Sequence, residues 1–277
     1  MRPCIGLLLA FALNAADIGG SDLLSPLAAG LTKAGATSDF AGTLPAARAY
    51  ADGRLGAVLL MERSGGPAAK DGPGDPPPFT LASSAAVVVV HRSNAVTQLT
   101  LPQLADAFAR DRRDPLTHWS GLPGGRSELV SPALCSPEGH FVRELLTGLV
   151  CPESPLRPDV RQGLTPEAAA QLAASRSDIL LLIAQPPAGV GRILPVADGR
   201  EGRSTSAYLP TPENVHAGDY PLRLPIVLHV RKDRARVLRP ALAWLCSDEA
   251  ADILRQRGLH PAPVEARRRW LLRLDTP

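Results

Sequence analysis

The segment from Ala85 to Gly121 constrains the fold more than any other part of the chain. It opens on Ala-Ala-Val-Val-Val-Val, a short β-branched apolar run bounded by polar residues, and such a run reads as a fully buried strand. Asn94 then opens a turn. Thr100 stands where a helix N-cap belongs, with Pro102 in the first turn behind it. Leu101, Leu104, Ala105 and Phe108 recur at helical spacing, so one face of a short helix is buried. A charged break at residues 110–114 follows, and Trp119 sits in a polar loop ahead of a Gly/Pro turn. The succession of strand, turn, amphipathic helix and lone tryptophan locates a fold, and it holds no catalytic chemistry.

The rest of the chain alternates in the same way. Strands are expected at residues 17–21, 38–42, 55–61, 129–135, 178–184 and 224–230. Helices are expected at 23–34, 43–52, 139–149, 166–175 and 238–257. Short strands alternating with helices argue βαβ units and a parallel sheet. Residues 64–78 are rich in Gly and Pro and read as an exposed loop, either a flap over a cleft or a plain surface insertion.

At 277 residues the chain can bury two cores of ordinary domain size, and its 45% hydrophobic share is that of a globular protein. The first sixteen residues read as a secretory signal peptide: Arg2 gives a positive start, residues 5–13 an apolar core, and Asn14-Ala15-Ala16 a small-residue cleavage region. Export would then leave Cys135, Cys151 and Cys246. Cys135 and Cys151 flank a helix of a dozen or so residues, whose ends lie roughly 18 Å apart at about 1.5 Å per residue. That span is beyond a disulfide's reach, so these thiols read as small buried apolar groups. No Cys/His spacing suits a metal, and no cofactor motif is present.

The net charge is +3 and aromatics are 4% of the chain, without the basic–aromatic interleaving of a nucleic-acid binder. The cluster Arg267-Arg268-Arg269 reads either as a basic patch for an anionic partner or as the solvated face of a last helix. Cys135 and His140 superficially suggest a nucleophile and base at a helix start. No third orienting group accompanies them, and the chain is not expected to be an enzyme.

Three blocks carry a family resemblance. The first is Asn94-x-Val96, Leu99-Thr100-x-x-Gln103-Leu104, Phe108 and Trp119. The second is Pro212-Glu213-Asn214 with Gly218-Asp219-Tyr220-Pro221-Leu222, the alternating strand after it, and Lys232-Asp233. The third is the closing helix with Trp244-Leu245 and Ser247-Asp248-Glu249-Ala250, ending at Gly258. In this order they resemble the phosphate-type periplasmic solute-binding proteins of bacterial ABC importers.

The resemblance implies an α/β, two-lobed periplasmic-binding-protein-like fold of type 2. Its mixed sheets would be flanked by helices and joined by a two-strand hinge. Residues 17–90 plus 222–277 would form lobe 1, and residues 91–221 lobe 2. It also implies a periplasmic, monomeric protein that takes a small oxyanion, phosphate-like, into the inter-lobe cleft and passes it to an ABC importer permease.

Anions in such clefts are held at strand-to-helix turns by backbone N–H groups and hydroxyls. The matching turns are Gly20-Ser21, Gly42-Thr43 and the stretch Glu138-Gly139-His140. For Ser21 and Thr43, an ordinary N-cap worth about 1 kcal/mol is the competing role. The third turn departs from the family pattern, which has Ser-Gly-Thr there and an Arg just upstream. Glu138 and His140 stand at those positions, and residues 129–135 contain no Arg. A carboxylate aimed into the pocket would repel phosphate, whereas Glu138 facing solvent would suit a helix N-terminus. The alternative this opens is a binding-protein-like accessory or interaction module of the cell envelope whose ligand site has degenerated.

Overall fold

The computed structural model describes residues 17–62, 72–136, 142–152 and 154–274. The leader at 1–16, most of the Gly/Pro-rich loop, and Glu138, Gly139 and His140 lie outside the described residues.

Three sheets organise the chain. The largest is six-stranded: β1 (Ile18–Gly20), β2 (Ser38–Asp39), β3 (Ala57–Met61), β4 (Phe79–Ala85), β12 (Arg223–Val230) and β13 (Leu259–Pro261), in spatial order β13-β4-β12-β3-β1-β2. A second has four strands, β5 (Val87–Val90), β7 (Ser131–Cys135), β8 (Ile179–Ile183) and β9 (Arg192–Leu194), in the order β7-β8-β5-β9. A small third sheet joins β6 (Leu99–Thr100), β10 (Val196–Ala197) and β11 (Ala207–Tyr208). The sheets are mixed. β1 runs parallel to β2 and β3, while β12 returns antiparallel between β3 and β4.

The apolar run from Ala85 to Val90 is buried throughout, and it splits between two sheets. Ala85 pairs with Arg223 in the six-stranded sheet, and Val87 pairs with Ile183 in the four-stranded one. In sheet membership the exchange therefore falls at Ala86, ahead of the division at residue 90. The second crossing is bonded to the first there: the Ala86 N–H donates to Leu222 O at 3.1 Å, and the Tyr220 hydroxyl donates to Ala86 O at 2.7 Å. Tyr220 is fully buried, so this contact is a fixed seam rather than a loose tether.

Thr100 caps α3 (Leu101–Phe108) as its sequence indicates: the hydroxyl accepts from the Gln103 N–H, and Gln103 Oε1 accepts from the Thr100 N–H at 2.9 Å. Leu101, Leu104, Ala105 and Phe108 enter one core together with Trp119. Trp119 lies in a polar loop and is nevertheless buried. It is 1% exposed, and Gly125 packs so closely that a Cβ there would lie 1.7 Å from Trp119 O. Upstream of α3, the Arg192 guanidinium donates to Asn94 O at 2.6 Å and Val96 O at 2.5 Å, pinning the turn after β5.

Two expectations for the rest of the large-sheet unit need correction. The closing helix is two: α7 (Lys232–Leu245) ends at Cys246, and the Ser247 hydroxyl caps α8 (Asp248–Gln256) by accepting from the Ala250 N–H. A serine cap inside the apolar period restarts the helix in a new direction. A last helix, α9 (Val264–Leu274), brings Arg267 not to a solvated face but into the interior, where it is 3% exposed. Its guanidinium donates to Ala262 O at 3.0 Å, Cys246 O at 2.6 Å and Asp248 Oδ1 at 2.7 Å. Only Arg268 and Arg269 of that cluster are exposed.

Candidate functional site

The carboxyl ends of the parallel strands set where a site can be built. Gly19 and Gly20 lie within β1 rather than in its exit turn, because β1 is squeezed between two neighbours. A Cβ on Gly20 would come within 2.8 Å of Leu59 O, and one on Gly19 within 2.4 Å of the Leu55 side chain. The chain leaves β1 at Ser21 and, after a 3-10 turn (Asp22–Leu27), enters α1 (Ala28–Lys33). Gly42, at φ +119°, is the residue before α2 (Thr43–Ala51), and its N–H donates to Gly20 O at 3.1 Å. Gly20, Ser21, Gly42 and Thr43 thus meet at one end of the large sheet.

Neither hydroxyl caps its helix. The Ser21 side chain is buried and donates to Asp22 Oδ1 at 3.1 Å. The Thr43 hydroxyl has no hydrogen-bond partner among the described residues and is half-buried. The capping role weighed against ligand binding therefore falls away for both. Asp22 beside Ser21 sets a carboxylate at the very turn that would have to receive an anion.

β7 delivers the third turn. Cys135 pairs in parallel with Ile183, whose antiparallel partner is Val87, so the carboxyl end of β7 points toward the Ala86 crossover. Ser136 follows, and its Oγ accepts from the Arg143 N–H at 3.4 Å, close to the start of α4 (Val142–Leu145). Cys135 itself is no nucleophile: it is fully buried, its Sγ donates to Leu164 O at 3.3 Å, and burial pushes its thiol up to about 11. Cys135, Cys151 and Cys246 are all free and buried. Among the described residues no group of three His, Cys, Asp or Glu could hold a metal ion.

A polar cavity of about 600 Å³ lies against the crossover. One wall is Glu62, just past β3, with Arg223 and Pro225 of β12. The other is the irregular segment after β10, carrying Asp198, Arg200, Arg203, Ser204, Ser206 and Tyr208, with Asp219 at the rim. Arg200 grips Asp198 with two bonds, Nε at 2.6 Å and Nη2 at 2.8 Å, which holds the Asp198 carboxyl below the usual range. Arg223 is different. Burial pushes its guanidinium pKa down, and its Nη1 is buried with no hydrogen-bond partner among the described residues. It lies over Gly218, the left-handed C-cap of α6 (Pro212–Ala217), where a Cβ would come 2.5 Å from Nη2.

The Glu62 carboxylate accepts from the buried His229 ring, with Oε1 3.0 Å from Nε2. Sequence reasoning missed this wall. The sequence signal for it was the charge density of Asp198-Gly-Arg-Glu-Gly-Arg203.

A scan of protein-family models and a search of curated proteins return no match to the sequence. Solved structures do match. A protein described as a possible phosphate binding protein from Planctomyces limnophilus superposes with a TM-score of 0.69 at 17% identity, over 93% of this chain and 96% of that one. PstS from Borrelia burgdorferi gives 0.65 at 14% identity, over 89% and 98%. An ABC-type phosphate transport receptor from Vibrio cholerae gives 0.58 at 17%, over 87% and 98%. The chain therefore shares the two-lobed α/β fold of these three proteins.

Proposed function

We propose that this chain is a periplasmic solute-binding protein, exported by its 1–16 leader. It takes a small oxyanion, phosphate-like in charge, between a lobe built on the six-stranded sheet and one built on the four-stranded sheet. It acts as a monomer and delivers the solute to an ABC importer permease. The observation that carries the reading is the likeness to phosphate-type receptors over nearly the whole chain. The convergence of the Ser21 and Gly42–Thr43 turns at one sheet end supports it, because the first-turn N–H groups of a helix have no partner within that helix. Closure would be a hinge motion about the Ala86 and Tyr220–Leu222 crossings.

The second reading, an envelope accessory module with a degenerate ligand site, is favoured by one observation: the Ser21 hydroxyl is turned onto Asp22. A melting-shift screen with phosphate, sulfate, molybdate and small carboxylates separates the two. A ligand at 100 times its Kd adds about 2.7 kcal/mol of stability, or roughly 5–10 °C in a chain of this size. A shift of that order supports transport. Flat melting curves across the panel, with recovery of a non-permease envelope protein on the tagged chain, support the accessory module instead.

A further inference from the structure

The cavity beside Arg223 carries a charge pattern that a bare oxyanion does not match. It is lined by three guanidinium groups, Arg200, Arg203 and Arg223, and three carboxylates, Glu62, Asp198 and Asp219. Arg200 and Asp198 neutralise each other. Among the described residues, neither Arg203 nor Arg223 forms an ion pair, and Asp219 forms none either, while Glu62 pairs only with the His229 ring. Asp219 and Arg223 act on each other only through space, as Arg203 and Asp198 do, so opposite charges line one polar cavity without a hydrogen bond within those pairs. The arrangement holds anion donors and cation acceptors open at the same time.

A tetrahedral dianion entering this space gains Arg203 and Arg223 but is repelled by Glu62 and Asp219, which sets attraction against repulsion at similar range. A molecule with an anionic head and an ammonium group uses both. The volume agrees: about 600 Å³ lies within the roughly 300–1,000 Å³ of pockets that enclose organic ligands. Tyr208 and Leu149 supply apolar surface for a carbon linker. The buried Arg223 Nη1 without a partner marks the guanidinium as the under-satisfied anion anchor on this wall.

We propose that this cavity is the ligand site for a small zwitterion, a phosphoryl or carboxylate head joined by a short carbon chain to an ammonium group. Arg223 and Arg203 take the head, and Asp219 and Glu62 take the ammonium. This deepens the solute-binding reading and rests on it, and it moves the anion's place from the Ser21 and Thr43 turns, which do not line this cavity, to Arg223 and Arg203.

Calorimetric titration of the purified protein with inorganic phosphate, ethyl phosphate, phosphoethanolamine and β-alanine tests it. Phosphoethanolamine binds at least tenfold tighter than ethyl phosphate. β-Alanine reports whether the head can be a carboxylate: saturable binding assigns carboxylates as well as phosphoryl groups, and its failure beside tight phosphoethanolamine assigns phosphoryl alone. Asp219→Asn, at an exposed position, removes most of the preference for the ammonium, weakening phosphoethanolamine while lifting the repulsion that opposes ethyl phosphate. Arg203→Ala, also exposed, weakens every anionic probe tenfold or more. Equal affinity for phosphoethanolamine and ethyl phosphate, or a preference that survives in Asp219→Asn, overturns the zwitterion site. Tight inorganic phosphate with no phosphoethanolamine binding overturns it and leaves the solute-binding reading standing. Silence from all four probes, and from sulfate and molybdate, removes the reading itself.

Discussion

Arg267→Ala is a sharp test of how the large-sheet unit is held. The side chain is interior, and its guanidinium donates to two main-chain carbonyls, Ala262 O at 3.0 Å and Cys246 O at 2.6 Å. These tie the start of α9 to the end of α7. Alanine leaves both carbonyls without that donor, and a buried group left unpaired costs about 1–3 kcal/mol. The third bond, to Asp248, contributes little because that carboxylate is exposed to solvent. Loss of the two carbonyl bonds and of the packed aliphatic stem comes to about 3 kcal/mol. In a chain of this size that lowers Tm by about 6–12 °C. Differential scanning calorimetry reads it directly, with Arg268→Ala as the matched control, since Arg268 is exposed and its loss should change Tm by less than about 2 °C. If Arg267→Ala and Arg268→Ala melted together, the staple would be a coincidence of position and the reasoning would be refuted.

Other outcomes follow from the same geometry. Gly125→Ala forces a Cβ against Trp119 O, a main-chain atom that cannot move aside alone, so urea unfolding should show a loss of about 3 kcal/mol or more, or no folded protein. Thr100→Ala removes the capping box of α3 and should cost about 1 kcal/mol by the same assay, with Thr100→Ser recovering most of it. Burial pushes the His260 imidazole below its ordinary pKa, and burial with the nearby Arg223 charge does the same for His216. Both fold with a pKa below the unfolded one, so their contribution is complete above the unfolded value of about 6.5 and is lost progressively as pH falls below it toward the folded pKa. Tm should therefore drop from pH 7 to pH 5, and the double variant His216→Gln, His260→Gln should flatten that drop. An unchanged slope in the double variant would remove these histidines as its source.

What could be read in the sequence and what could not divide along a physical line. Features set by nearest neighbours were legible. The Thr100 cap, the buried face of α3, the α2 and α5 (Pro166–Ser175) boundaries and the buried free thiols all follow from short-range pattern. Ser247 was readable in principle as a cap, but its apolar flanks kept the 3.6-residue period running and hid the break. Arg267 was misread because a charged residue's burial depends on which carbonyls a distant chain end presents.

The candidate site splits in the same way. Ser21, Gly42 and Thr43 do stand at strand-to-helix junctions, whereas Gly20 falls inside β1, and the orientation of the Ser21 hydroxyl toward Asp22 required coordinates. The Arg223 cavity joins residues 62, 198–208 and 219–225, segments whose meeting only the topology dictates.

The central claim is that the cleft against the Ala86 crossover receives a small anionic solute. Calorimetric titration of the wild-type protein at pH 7.5 with phosphoethanolamine and with inorganic phosphate measures this most directly. The account predicts a saturable heat that fits one site per chain and is weakened tenfold or more in Arg203→Ala. No saturable heat with either ligand, or binding that is indifferent to Arg203, would contradict it.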